Sequence, residues 1–124
     1  MKWICLAAGG VAGPFARYLV GGAVQRSAGP DFPYGTLAVN LLGCLIIGFL
    51  ASFCEKKFFL SPEARLFLFT GFLGAFTTFS ALICESWLLI RAGQGQLAGA
   101  NLLGSLVLGL LAFWLGHLVA VNLA

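Results

Sequence analysis

Residues 70–80, reading Thr-Gly-Phe-Leu-Gly-Ala-Phe-Thr-Thr-Phe-Ser, lie in the middle of an apolar stretch long enough to cross a bilayer. Two glycines, paired β-branched threonines and a serine are poor helix formers. A break there leaves carbonyls and amides without intrahelical partners, which a membrane tolerates only where the backbone is buried in protein or lines a polar cavity. The segment therefore reads as a transport or ion site. A half-helix ending near Gly74 would present carbonyl oxygens, hard ligands suited to a small cation such as sodium. Beyond it, Phe76 and Phe79 form a rail with Thr78 and Ser80. Phenylalanine rings have positive edges, so a small anion would favour those edges together with N–H and O–H donors. Anion pores normally use rings of Arg or Lys, and the apolar spans here hold only Arg17.

The other spans carry side chains that could complete such a site. Asn40 is the only strongly polar side chain of its span, with Thr36 one turn before it and Gly43 and Cys44 one turn after. Its carboxamide offers two N–H donors and one acceptor oxygen. Either it bonds a neighbouring helix or it donates to a ligand, and a broken companion span favours the ligand. In the last span Asn101, Ser105, Gly109, Ala112 and Gly116 share one stripe. Close helix packing explains the glycines but not the two stacked polar residues, which with Asn40 make a set of donors without fixed charge.

In the first span Gly9, Gly13, Arg17 and Gly21 are spaced four apart on one face, and the Gly9–Gly13 step permits close approach of two backbones. Arg17 is either a functional charge facing protein or a snorkelling residue near the end of its span; spacing leaves both open. Glu85 is the only acid inside a span, able to face a vestibule or pair with an arginine. His117 has no acid or cysteine in reach by sequence. Cys5, Cys44, Cys54 and Cys84 show no CxxC spacing and read as packing residues.

These residues sit on four candidate spans, about 3–24, 34–54, 66–90 and 97–121, in a chain of 124 residues that is 60% hydrophobic and 9% charged. Soluble domains carry about 25% charged residues, so the expected class is an all-α integral membrane protein. Residues 1–124 form a single four-helix membrane domain whose third helix is broken. The spans are continuously apolar, which argues for helices over a barrel. A cleavable signal peptide is not expected, since only Lys2 supplies a basic n-region. Four spans put Lys2, Lys56, Lys57 and Arg65 on one side and Arg17, Arg26 and Arg91 on the other. So even a division sets no firm orientation, and a chain that inserts both ways makes an antiparallel, dual-topology dimer available; a single orientation decided by Lys56 and Lys57 is the alternative.

No nucleotide-binding loop, paired catalytic carboxylates or Ser/His/Asp set is present, so an enzyme is not expected. A small dual-topology proton-coupled multidrug exporter is the main rival, but it would want an acid in the first span, where this chain has Arg17; Glu85 would have to serve. A structural assembly subunit, with every glycine explained by packing, is the third possibility.

Gly9-Gly10 with Gly13 and Arg17-Tyr18, then Pro33-Tyr34-Gly35-Thr36-Leu37 with Val39-Asn40 and Gly43, then Thr70-Gly71-Phe72-Leu73-Gly74 with Thr77-Thr78-Phe79-Ser80, closely resemble the CrcB/Fluc family of fluoride channels. The resemblance covers all four spans and is strongest in the first three. It implies an antiparallel homodimer of dual topology with two separate fluoride pores, sited in the cell (inner) membrane and contacting lipid but no nucleic acid. It also implies a structural Na+ at the dimer centre, held by carbonyls that map to Gly74 and Thr77. The pore asparagine maps to Asn40, the first phenylalanine of the aromatic box to Phe79, the polar track of the fourth span to Asn101 and Ser105, and the vestibule arginine to Arg17. Thr36 and Ser80 flank that pathway. The chain departs from the family pattern where Phe79-Ser80 is followed by Ala81-Leu82, so that Leu82 stands for the second box phenylalanine. Phe79 alone, another ring such as Phe76, or a related partner chain could compensate.

Overall fold

The computed structural model describes residues 1–57 and 60–124. Four helical spans are long and apolar enough to cross a membrane: Lys2–Ala28, Tyr34–Lys57, Pro62–Arg91 and Gly95–Leu123. Each outruns its expected apolar core, because polar residues such as Gln25 and Arg26 continue the helix past the hydrocarbon boundary. The first two spans form a hairpin closed by Gln25. Its Nε2 donates to Gly29 O at 2.6 Å and Phe32 O at 2.8 Å, and its Oε1 accepts from Gly35 N at 2.9 Å.

The third span is not one spiral. Ser61 caps its start by accepting from Ala64 N at 3.1 Å, and Pro62 occupies the first turn, where its missing N–H costs nothing. From Leu66 to Leu73 the helix widens to a π-helical form, with the Gly74 amide reaching back five residues to Phe69 O. One α-turn, Gly74–Phe76, follows. Thr77 then turns extended at φ −81° and ψ 156°, and Thr78 does so at φ −150° and ψ 117° before a new helix, Phe79–Arg91.

The interruption thus lies at residues 77–78, not at 74–77 as expected, and Gly74 keeps helical angles of φ −62° and ψ −33°. The cause is local competition. Thr77 Oγ1 donates to Leu73 O at 3.0 Å, the carbonyl that Thr77 N also uses at 3.1 Å. Thr78 turns its own hydroxyl to the Ala81 amide at 3.3 Å, a capping contact that requires non-helical backbone.

Helix pairs meet through glycine. The first span packs on the first half of the third, where Gly9 and Gly71 touch backbone to backbone; a Cβ on Gly71 would lie 3.0 Å from the Gly9 Cα. The second span packs on the fourth, where Gly48 meets the Phe113 carbonyl and Gly116 meets that of Leu45. The fourth-span stripe does face inward: Asn101, Gly109 and Gly116 are buried. The second half of the third span, Phe79–Arg91, lies against the fourth. Large apolar side chains such as Leu110 and Trp114 stay exposed on the chain's surface.

Gly48→Ala should lower thermal stability in detergent by about 1–3 kcal/mol through overpacking on the Phe113 carbonyl. Gly10→Ala, whose Cβ would meet nothing within 4 Å, should be neutral or gain up to about 1 kcal/mol from helix propensity. Equal effects of the two substitutions would contradict the glycine contact.

Candidate functional site

The break at residues 77–78 is held by Asn40. Its Nδ2 donates to Thr78 O at 3.0 Å, and its Oδ1 accepts from Thr78 N at 2.8 Å. A carboxamide presents the same donor and acceptor pair as a peptide unit, so the side chain replaces the helical partners that Thr78 has lost. The exchange also fixes the orientation of the amide. Bonding a neighbouring helix and donating to a ligand are both open to Asn40, since one N–H of Nδ2 is left over after Thr78.

Around this clamp lies a hollow of about 590 Å³, lined by Asn40, Gly74, Thr77, Thr78, Phe79 and Ser105 among others. A helix ending at Phe76 leaves its last carbonyls without intrahelical amides; Leu73 O is taken by Thr77, so those of Gly74 to Phe76 remain. On the opposite lip, the Phe79–Arg91 helix begins with its positive dipole end toward the break. The hollow therefore offers carbonyl oxygens on one lip and amide and hydroxyl donors on the other. No group of three or more His, Cys, Asp or Glu that could hold a metal occurs among the described residues. The oxygens of the helix end are the hard donors available.

The rail of two phenylalanines is not what the structure builds. Phe79 stands at the hollow's edge, 75% exposed. Phe76 is buried and stacked on Phe72, with ring centroids 5.7 Å apart. The extended residues at 77–78 turn the two rings apart, so Phe76 cannot stand in for the aromatic ring that Leu82 replaces. Leu82 does line the hollow, as does Phe69 from the opposite lip, which sequence spacing did not single out. Ser80 is exposed, its Oγ 3.4 Å from that of Thr78.

Asn101 sits deeper and is fully buried. Its Nδ2 donates to Ser86 Oγ at 3.0 Å, and Ser86 in turn donates to Leu82 O at 2.7 Å. Because the Ser86 proton goes to Leu82, the group facing Ser86 must be the Asn101 N–H, which leaves Asn101 Oδ1 unpaired. The Ser105 hydroxyl, one turn further along, is likewise buried and unpaired among the described residues. Ser86 was not anticipated; the only hint was that a buried asparagine needs a partner on the helix packed against it.

Thr36 and Arg17 belong to a second, shallower cleft near the ends of the first two spans. Thr36 Oγ1 donates to Glu85 Oε1 at 2.6 Å, which gives the one intramembrane acid its partner. Glu85 Oε2 is buried and unpaired. His117, far from this file, pairs with Ser52 Oγ at 2.8 Å.

Comparison with known proteins bears on this arrangement. The family model described as CrcB-like protein, Camphor Resistance (CrcB), matches residues 4–117. The chain is similar to the fluoride-specific ion channel FluC of Chlorobaculum tepidum, with 48% identity over 117 residues that cover 94% of this chain and 92% of the relative. It is also similar to the fluoride-specific ion channel FluC of Maridesulfovibrio salexigens, at 46% over 108 residues, 87% of this chain and 86% of the relative. The protein of that name from Opitutus terrae is 43% identical over 123 residues, 98% of this chain and 93% of the relative.

Asn40→Ala would leave both Thr78 backbone groups without their partner. It should cost about 1–3 kcal/mol and speed hydrogen exchange of the Thr78 amide selectively; an unchanged exchange rate there would show that the clamp does not hold the break.

Proposed function

The chain belongs to the CrcB-like family, and on that footing we propose that it is a passive fluoride channel that exports cytoplasmic fluoride across the cell's inner membrane. The observation that carries this reading is the interrupted third span, clamped by Asn40 on the floor of an uncharged hollow with Phe79 at its rim. A continuous span would have no unpaired peptide groups to offer. The names of the relatives, each a fluoride-specific ion channel, supply the ion.

In this reading fluoride enters past Arg17 and Thr36 and exchanges its hydration for the spare N–H of Asn40, the hydroxyls of Ser80 and Ser105, and the ring edge of Phe79. Asn101 holds the inner wall through Ser86. None of the donors beyond Arg17 carries a permanent charge, so the anion is held weakly enough to leave. Fluoride is small and strongly hydrated, and only short, direct donor contacts replace its water well.

The proposed assembly is an antiparallel homodimer of dual topology with a structural Na+ at its centre. Gly74 and Thr77 of each subunit would hold the ion, and the fit is reasonable: Gly74 is exposed on the chain's surface, at a helix end whose carbonyls lack amides. When bound, the ion would neutralise those oxygens and tie the two subunits together. Phe79, largely exposed on the single chain, would then be walled by the partner.

In liposomes, a fluoride electrode should record efflux from the purified chain that is indifferent to a proton gradient. Phe79→Ile should abolish that flux while the dimer stays intact on size exclusion; an unchanged rate would remove Phe79 from the pathway. Replacing sodium with a larger monovalent cation should impair flux without any sodium being carried, and equal rates in both salts would argue against the central ion.

A further inference from the structure

Arg17 and Arg26 both line a cleft of about 310 Å³ between the first two spans, with Tyr18, Gly22 and Thr36. Neither guanidinium has a carboxylate partner among the described residues. Arg17 is half-buried, and a guanidinium drawn out of water without a counter-charge is costly at membrane depth. Arg26 is exposed, yet it lies back over Gly22: its Nη1 is 3.2 Å from the place a Gly22 Cβ would occupy. Gly21 and Gly22 line the same cleft and add no side chain to it.

The remaining polar groups say where a counter-ion would sit. Gln25 is consumed by the hairpin, since its Nε2 donates to two carbonyls and its Oε1 accepts from Gly35. Glu85 is held by Thr36 and is not among the residues that line the cleft. An anion in the cleft is left with Arg17 and Arg26 as its cationic partners. The two residues are about 13 Å apart along the helix axis, too far for one monatomic ion to touch both. An oxyanion offers several acceptor oxygens, which suit the planar forks of guanidinium groups better than a monatomic ion does.

We infer that this cleft is a phosphate-binding site, taking the phosphate group of an anionic lipid headgroup or of free inorganic phosphate. Basic pockets between membrane helices suit such groups, and Arg26, in the last turn of its helix, opens the cleft toward the membrane surface. The inference does not depend on the chain's being a fluoride channel, because it concerns binding alone.

The test uses the full chain in an uncharged detergent, titrated with inorganic phosphate against chloride at constant ionic strength and followed by thermal midpoint and phosphorus NMR. A parallel series places the chain in phosphatidylcholine nanodiscs with rising phosphatidylglycerol. Saturable stabilisation by free phosphate supports the site with the free ion as a ligand. Stabilisation by phosphatidylglycerol alone supports it with the headgroup as the ligand. In whichever arm responds, Arg26→Gln should raise the half-saturating concentration about tenfold, Arg26→Lys should do so less, and Arg91→Gln, an exposed cation on the same membrane face, should leave it unchanged. No response in either arm, or equal effects of Arg26→Gln and Arg91→Gln, would overturn the site.

Discussion

Everything at the centre of this fold depends on one reciprocal pair of hydrogen bonds, between the Asn40 carboxamide and the peptide of Thr78. A helix interrupted inside a bilayer must find partners for the groups it frees, because hydrocarbon supplies none. Asn40 provides a donor and an acceptor from the neighbouring span, and Thr77 and Thr78 spend their hydroxyls on Leu73 O and Ala81 N. What is left unpaired is therefore selective: carbonyls on the lip before the break, and amides with a positive dipole end on the lip after it. Clamp and site are one construction, since the same asparagine that permits the interruption keeps an N–H facing it.

The close glycine contacts serve that centre. Where Gly9 meets Gly71, the first span comes near enough to brace the π-helical half of the third. Where Gly48 and Gly116 let the second and fourth spans merge, Asn40 and Ser105 are brought to one hollow from two helices. Such contacts rest on dispersion between closely packed backbones, which a lipid environment leaves intact although it removes the hydrophobic drive between helices.

Much of this was legible in the sequence. Length and apolar continuity gave four spans, and two glycines with two threonines gave an interruption in the third. Its position came out three residues early at its start, because propensity counts Gly74 as a breaker, whereas the π-helical turn absorbs it and the threonine hydroxyls set the actual stop. The fourth-span residues were read as one stripe, and Asn101, Gly109 and Gly116 of it are buried, but the partner Ser86 was invisible without knowing which face of Phe79–Arg91 packs there. The pairing of Phe76 with Phe79 failed for a simple reason: helical spacing cannot be carried across extended residues, so the two rings part and Phe76 stacks on Phe72. Asn40 was recognised as the key polar group of its span, while its bond to Thr78 required the third dimension.

The basic residues divide four to three between the two membrane faces, but they are not alike in display. At one end Lys2 lies over the Trp3 ring at 5.4 Å, Lys57 over Phe53 at 5.7 Å and Arg65 over Phe69 at 5.6 Å. Those cations are pinned to aromatic faces at the rim, where they greet headgroups directly. At the other end Arg17 and Arg26 line the walls of a cleft. A bilayer leaflet thus feels a collar of charge at one pole of the subunit and a shielded well at the other, so nearly matched tallies of lysine and arginine conceal two electrically different poles. If two copies lie head to tail, every leaflet meets one of each, and neither surface of the membrane is privileged.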